Sequence, residues 1–446
     1  MQNYSKINKK ILNISSINLG CAKNLVDTQY FLWKLFSDTK YDINYFVDFL
    51  DKKVEYVVLN TCGFISSARQ EMFDFVQNLL DHKKKILLFG CWLEYFFKID
   101  KNLPEILKDT NIKFISWSDL WNINLDKILD WFSSSDFGEF DFPQTPIAYT
   151  NDILNFEYVK IAEWCNNSCS YCLIPQIRWK QKSLPVENII EQVKNLVNNW
   201  IQEIILIAQD SSRYWIDIYQ KPYLLELLQK IDKIDWDFRY RILYLYPDIL
   251  TYKILEDLSK LKKFIPYFDI PLQHISPTIL KSMRRFDDVT KIKEFLSLIK
   301  KYFKQSFVRT NFIIWFPWET KQDFDLLLDF IKENDFDNIA LFEYHDEPFT
   351  KSFKLKDKID YKTIHQRFQK IKKIVDQKLD EKQRSRANSM YEGFVVDITN
   401  DKDKSIIVRP RLNTPDIDFV DIINENQILS PTDQIIDIWT KIKYSI

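Results

Sequence analysis

Compact apolar stretches alternate with amphipathic ones over the first 140 residues. Ile11–Asn18, Val54–Leu59 and Lys85–Phe89 are short apolar runs that predict strands, and Thr28–Phe36 and Ala68–Leu80 repeat apolar positions at helical spacing. This alternation predicts an α/β domain built on a mostly parallel sheet. Residues 133–150 (SSSDFGEFDFPQTPIAYT) lose the helical period and gather Ser and Pro, as a linker does.

From residue 151 to about 355 the pattern becomes a series of strand–helix units. The strands expected are Tyr158–Ala162, Glu203–Ala208, Tyr240–Tyr244, Tyr267–Pro271, Val308–Ile314 and Ile339–Phe342, with helices such as Val186–Asn198 and Lys321–Glu333 between them. Such a series predicts a complete or partial parallel barrel, with its ligands at the C-terminal strand ends. A polar helix follows from about Lys362 to Ala387. Beyond it GFVVDI, SIIVRPR and DQIIDI alternate apolar and polar residues between turns and predict a small antiparallel β-barrel. The expected fold class is therefore α/β multidomain, divided into 1–140, 151–380 and 388–446.

Composition narrows the function. Hydrophobic residues make up 46% and charged residues 28%, with a net charge of −1. A whole-surface electrostatic nucleic-acid binder would be strongly basic, so RNA contact is not expected to dominate. The start has no signal-like apolar stretch, and the most apolar run, Ile86 to Trp92, is far short of the ~20 residues a membrane span needs. The expected place is the cytoplasm, where thiols stay reduced. The six cysteines then read as metal or redox ligands rather than disulfides.

Cys165, Cys169 and Cys172 form Cys-x3-Cys-x2-Cys just after the first expected barrel strand. Thiolates are the usual ligands of iron–sulfur clusters, and three on one loop leave the fourth iron of a 4Fe-4S cube open. A structural zinc site wants four closed ligands. His82 lies 83 residues upstream of Cys165, and His274 is the next histidine downstream, so no fourth ligand is local. Cys21 (NLGCAKN), Cys62 (NTCGF) and Cys91 (FGCWL) each follow an expected strand and adjoin Gly20, Gly63 and Gly90. Any one of them alone reads as a buried structural thiol. Three at equivalent strand ends, which converge at one edge of a parallel sheet, favour a second cluster.

At these residues the chain resembles the methylthiotransferase family of radical S-adenosylmethionine (SAM) enzymes, over essentially its whole length. INLGCAKNLVDTQ, LNTCGFISSARQE, YVKIAEWCNNSCSYCLIPQIRWK, EIILIAQDSSRYWID, YLYP, FDIPLQHISPTILKSMRR and RTNFIIWFPWET carry the resemblance. AQDSSRY and IPLQHIS favour the branch that modifies a ribosomal protein. The resemblance implies a cluster domain, a radical SAM barrel and a C-terminal TRAM barrel. It also implies two 4Fe-4S clusters with SAM. Cys165, Cys169 and Cys172 would hold the SAM-cleaving cluster, and Cys21, Cys62 and Cys91 the auxiliary one that carries the sulfur. One SAM would methylate that sulfur. A second would give a 5′-deoxyadenosyl radical that takes hydrogen from the β-carbon of an aspartate in the twelfth small-subunit ribosomal protein. An electron donor such as flavodoxin or ferredoxin is implied. The competing readings are a tRNA methylthiotransferase and a non-catalytic iron–sulfur protein with a blocked SAM pocket.

Tyr171 lies between two ligands; the resemblance puts it near the SAM adenine, while loop packing is the plain alternative. Gln209, Asp210 and Gln273 end barrel strands, which makes them cofactor-contact candidates. Arg309 and Thr310 are also candidates, although they begin their strand, which weakens the case for Arg309. His274 reads as an ordinary hydrogen-bonding residue. Arg284–Arg285 and Lys301 to Lys304 read as solvated positions. From Tyr391 on, ten acidic residues face six basic ones, which argues against phosphate and for a basic protein partner met through Asp416, Asp418 and Asp421. Glycine, usually about 7% of residues, occurs 5 times here against 13 tryptophans. Trp164, Trp179, Trp200, Trp215, Trp315 and Trp318 fall where the resembled family has glycine, and Trp315 and Trp318 flank a turn at the expected SAM pocket. The expectation is that these six are glycine in the natural protein, through a UGA codon read as tryptophan. Trp92, Trp117 and Trp439 are weaker members of the set.

Overall fold

The computed structural model describes residues 10–38, 40–116, 155–177, 180–249, 252–356, 361–386, 389–399, 405–429 and 441–445. The linker expected at 133–150, the DQIIDI segment, Trp117, Trp179 and Trp439 lie outside the described residues.

The N-terminal unit is a parallel sheet of β1 (Lys10–Asn18), β2 (Tyr41–Tyr45), β3 (Tyr56–Thr61), β4 (Lys85–Gly90) and β5 (Ile112–Phe114), in the order β2-β1-β3-β4-β5. Its strands are apolar on both faces because both are covered. Tyr56 and Val58 pack with Leu12 and Ile14 against Tyr30 and Phe31 of helix α1 (Ala22–Ser37). Val57 and Leu59 point the other way, onto Met72, Val76 and Leu79 of helix α2 (Ser66–Asp81). The sequence pattern missed β2 and β5, whose five and three residues are too short to carry a period.

The central unit is a six-stranded, all-parallel sheet in the order β13-β12-β11-β10-β9-β6. Its strands are β6 (Phe156–Lys160), β9 (Glu203–Ile207), β10 (Arg239–Ile242), β11 (Phe264–Gln273), β12 (Phe307–Ile314) and β13 (Asn338–Glu343). A two-residue ribbon, β7 (Ala162–Glu163) with β8 (Lys182–Ser183), lies after β6. The edges β6 and β13 do not pair, so the barrel is partial. Val159, Ile204 and Leu206 face the surrounding helices. Tyr158, Ile205, Ile207 and Tyr267 point inward, against Val26 of α1 and Phe419 of the C-terminal unit.

Buried polar contacts fix α1 against β6. Lys160 sits between Asp27 and Glu163, all three almost fully buried. Gln29 Nε2 donates to Glu157 Oε1 at 3.0 Å. On the other side Arg69 meets Glu347 at 2.6 Å. The N-terminal unit is thus fastened to the barrel by charges that would be costly to leave unpaired.

The described C-terminal residues form a four-stranded antiparallel sheet of β14 (Met390–Ile398), β15 (Ile406–Pro410), β16 (Asp421–Ile423) and β17 (Lys441–Ser445). It docks on the barrel through Glu203, which receives Arg241 at 2.6 Å and Arg409 at 2.8 Å. Burial would raise the Glu203 pKa, but the two guanidinium groups hold it below the usual carboxylate value. The acidic docking face expected here is corrected. Asp421 accepts a two-pronged bond from Arg386 at 3.0 and 2.9 Å and another from the Tyr444 hydroxyl. Asp418 accepts from Asn338 Nδ2 and the Thr414 N–H. These carboxylates hold the unit together, and only Asp416 of the three is exposed.

Candidate functional site: two cysteine trios at sheet edges

Cys21 caps the N-terminus of α1, Cys62 follows β3 directly and Cys91 follows β4 directly. Because β1, β3 and β4 are parallel neighbours, the three thiols arrive at one edge. Asn24 organises them. Its Nδ2 donates to Asn60 Oδ1 and Thr61 O, and its Oδ1 lies 3.5 Å from Cys21 Sγ and 3.8 Å from Cys91 Sγ. The flanking backbone admits no side chain. A Cβ on Gly90, at φ 111°, would stand 2.4 Å from Asn60 Oδ1, and one on Gly63 2.5 Å from the Trp92 Cα.

Cys165, Cys169 and Cys172 lie on the loop that follows β7, at the C-terminal mouth of the barrel. The Asn167 N–H points at Cys165 Sγ, 3.4 Å away, and its Nδ2 donates to Asp210 Oδ2 at 2.7 Å. Ser170 ties the far side of the loop to Met283 O and Ser282 O. Burial, with Asp210 next in weight, pushes the Cys165 thiol up to about 12. Burial and then Cys169 raise Cys172 further. The raised Cys165 and Cys172 thiols would give up their protons most readily to a strongly cationic partner. Among the described residues no three His, Cys, Asp or Glu side chains are arranged to hold a single metal ion. Each trio brings three thiols to one place, at adjacent strand ends or on one loop, which is the donor set a 4Fe-4S cluster takes.

The other candidates divide. Gln209 follows β9 with a buried Oε1 that has no partner, as a polar ligand contact would leave it. Gln273 ends β11 at φ 72° and accepts from Asn311 Nδ2 at 2.8 Å. Asp210 is a positioning residue, gripping Asn167 and Arg213. Tyr171 is half-buried, with its ring edge-on to Phe316 and its hydroxyl 3.4 Å from Arg285. Thr310 is corrected: its hydroxyl donates to Ile270 O on the neighbouring strand, and it is fully buried. Arg309 pairs with Asp269 at 3.0 Å, inside the barrel below the strand ends. Both lie early in β12, remote from its C-terminal end. The Trp315 indole packs on Phe368 in the outer core. Trp318 is 44% exposed. His274 accepts from the Ser276 N–H, as an ordinary hydrogen-bonding residue would.

Two residues were missed. Arg285, read as solvated, turns inward to Cys169 Sγ at 3.6 Å, while Arg284 stays exposed. Lys23 lies 3.3 Å over the Tyr244 ring, and Tyr244 is next to Asp269 and Arg309. These four residues line the space between Cys21 and the barrel interior. Only Arg309 of the four was marked in the sequence, since Lys23, Tyr244 and Asp269 come from different elements. A groove of about 1090 Å³ near Lys300, Lys382 and Arg386 lies at the opposite end, where β12 begins.

A family model described as the Radical SAM superfamily matches residues 159–331, and one described as Uncharacterized protein family UPF0004 matches 13–106. The ribosomal protein uS12 methylthiotransferase RimO of Carboxydothermus hydrogenoformans is 36% identical over 368 residues, 80% of this chain and 81% of that protein. The protein of the same name from Alkaliphilus oremlandii is 33% identical, with 93% of each chain covered. The chain belongs to the RimO family of radical SAM methylthiotransferases. The first model spans the Cys165–Cys172 loop and the second spans Cys21, Cys62 and Cys91. The radical SAM methyltransferase TsrM of Kitasatospora setae, solved with cobalamin and a 4Fe-4S cluster, shares the fold at a TM-score of 0.55 and 9% identity, over 77% of each chain. Membership implies one 4Fe-4S cluster and SAM. Among the described residues no helix is long and apolar enough to cross a membrane.

Proposed function

We propose that this chain places a methylthio group on the β-carbon of an aspartate in ribosomal protein uS12, using two 4Fe-4S clusters. The observation that carries this reading is the pair of cysteine trios at two sheet edges that buried charges lock together. An unactivated C–H bond has no acidic proton, so side-chain bases cannot break it at useful rates. When bound, SAM and the clusters supply the radical and the methylthio group.

The chain's own residues do the rest. Cys165, Cys169 and Cys172 would hold the SAM-cleaving cluster, and Asp210 holds their loop through Asn167. Gln209 and Gln273 offer polar contacts for SAM at the strand ends. Cys21, Cys62 and Cys91 would hold the auxiliary cluster, steadied by Asn24. Lys23, Tyr244, Asp269 and Arg309 form a polar floor between the two sites, suited to orienting a carboxylate-bearing substrate. The working place is the cytoplasm, with a flavodoxin- or ferredoxin-type electron donor.

Mass spectrometry of ribosomal proteins and tRNA, with and without this gene, tests the proposal. A methylthio mass on uS12 that disappears with the gene is expected. The loss of a methylthio mass from tRNA alone would move the protein to the tRNA-modifying activity and overturn the reading.

A further inference from the structure

We propose that Arg285 tunes the electron affinity of the SAM-cleaving cluster through a charged hydrogen bond to Cys169. The helix Pro277–Ser282 ends with the Arg285 N–H on Leu280 O and the Arg284 N–H on Lys281 O. Arg284 takes φ 56°, and this reversal turns Arg285 back toward the barrel mouth. Its guanidinium is held from three sides. One nitrogen donates to Pro271 O at 2.5 Å, the other lies 3.4 Å from the Tyr171 hydroxyl, and the Tyr246 ring is 4.4 Å away. The second nitrogen also reaches Cys169 Sγ at 3.6 Å. The nearby carboxylates, Asp210 and Asp248, have Arg213 as their ion-pair partner, while Arg285 directs its second nitrogen at Cys169 Sγ. A cation bonded to a ligand sulfur stabilises the reduced, more negative cluster and raises its potential.

This inference rests on the cysteine loop holding a cluster, which iron content reads separately. The test is an EPR-monitored redox titration of the cluster signal that responds to SAM, in wild type, Arg285→Lys and Arg285→Met. Arg285→Met should keep its iron and lose about tenfold in electron affinity, about 59 mV more negative for one electron. Arg285→Lys should move less. An unchanged midpoint in Arg285→Met, or the same shift in both variants, overturns the role. A wild type with no SAM-responsive cluster would instead defeat the proposed function.

A second, independent observation concerns the backbone. Trp164, Trp200, Trp215, Trp315 and Trp318 all lie at positive φ, between 63° and 74°. They are five of the eight tryptophans in the described residues, and the other three, Trp33, Trp92 and Trp236, are not at positive φ. This is glycine's territory, since a Cβ there crowds the carbonyl. Trp200 shows the demand most clearly. It stands just past the helix Val186–Asn198, its N–H on Val197 O and the Ile201 N–H on Leu196 O, in a helix-ending turn that glycine usually fills. The indole N–H groups of Trp215 and Trp315 are buried with no partner. The sequence has no glycine at all between Gly138 and Gly393, where about 7% would be ordinary.

We infer that these five positions are glycine in the natural protein. The codons and the native peptides test this directly. UGA codons, and tryptic peptides of the cell-derived protein with glycine at these positions, are the expected result. UGG codons, or tryptophan in the native peptides, overturn it.

Discussion

At the edge of the N-terminal sheet, Gly63 and Gly90 let strands and thiols approach so closely that a Cβ on either would collide with backbone or side chain at 2.4–2.5 Å. At the barrel mouth and along the barrel, the corresponding reversals fall on Trp164, Trp315 and Trp318 at φ 63°, 70° and 74°. The first region demands space for a close approach, and the second demands left-handed backbone. They also differ in how they gather ligands. The N-terminal trio comes from three strand ends and needs the whole sheet in register. The barrel trio comes from one loop, pinned at Asn167 and Ser170. A local loop tolerates distortion elsewhere, whereas a site assembled from three strands does not.

The sharpest test of that contrast is to remove each trio in turn. Alanine at Cys165, Cys169 and Cys172 should remove half the iron and abolish SAM cleavage. Alanine at Cys21, Cys62 and Cys91 should remove the other half, end methylthio transfer and leave SAM cleavage measurable. Iron analysis and release of 5′-deoxyadenosine check both. Equal loss of cleavage in the two sets would mean that the sites are not separable.

Breaking the joint between the regions should cost less. Lys160→Met leaves Asp27 and Glu163 buried without their cation. The expected loss is about 3–5 kcal/mol, read by urea unfolding. Glu157, at the same joint, is pushed up to about 7 by burial, against the Gln29 hydrogen bond. Its pKa is raised on folding, so below about 4.5 the carboxyl is neutral in both states and costs nothing. From there to about pH 7 the unfolded chain ionises first, and folding weakens. Glu157→Gln should therefore be the more stable form above pH 7, by on the order of 3 kcal/mol, with the gain gone below pH 4.5. Stability measured across pH checks the sign. The smallest effect belongs to Trp200→Gly. Its side chain is 81% exposed, so little packing is lost. Relief of left-handed strain should stabilise the chain by about 1 kcal/mol.

Much of this architecture is legible in the sequence, for physical reasons. The helices Val186–Asn198 and Lys321–Glu333 match their periodicity residue for residue. Strands buried on both faces stand out as apolar runs, and each trio of thiols follows strand ends. What escaped was register and direction. Thr310 and Arg309 read as site residues, but β12 starts earlier than its apolar run and leaves them deep in the sheet. Arg285 read as solvated because nothing in a pair of arginines tells which one a left-handed turn will bury. Asp418 and Asp421 read as free surface charge because their partners, Asn338 and Arg386, are distant in sequence or belong to another element.

The central claim is that each trio holds its own cluster, and the iron and sulfide content of the anaerobically reconstituted wild-type protein tests it most directly. With Mössbauer spectra to identify the cluster type, the account predicts about eight irons per chain as two 4Fe-4S clusters. About four irons in a single cluster would contradict it.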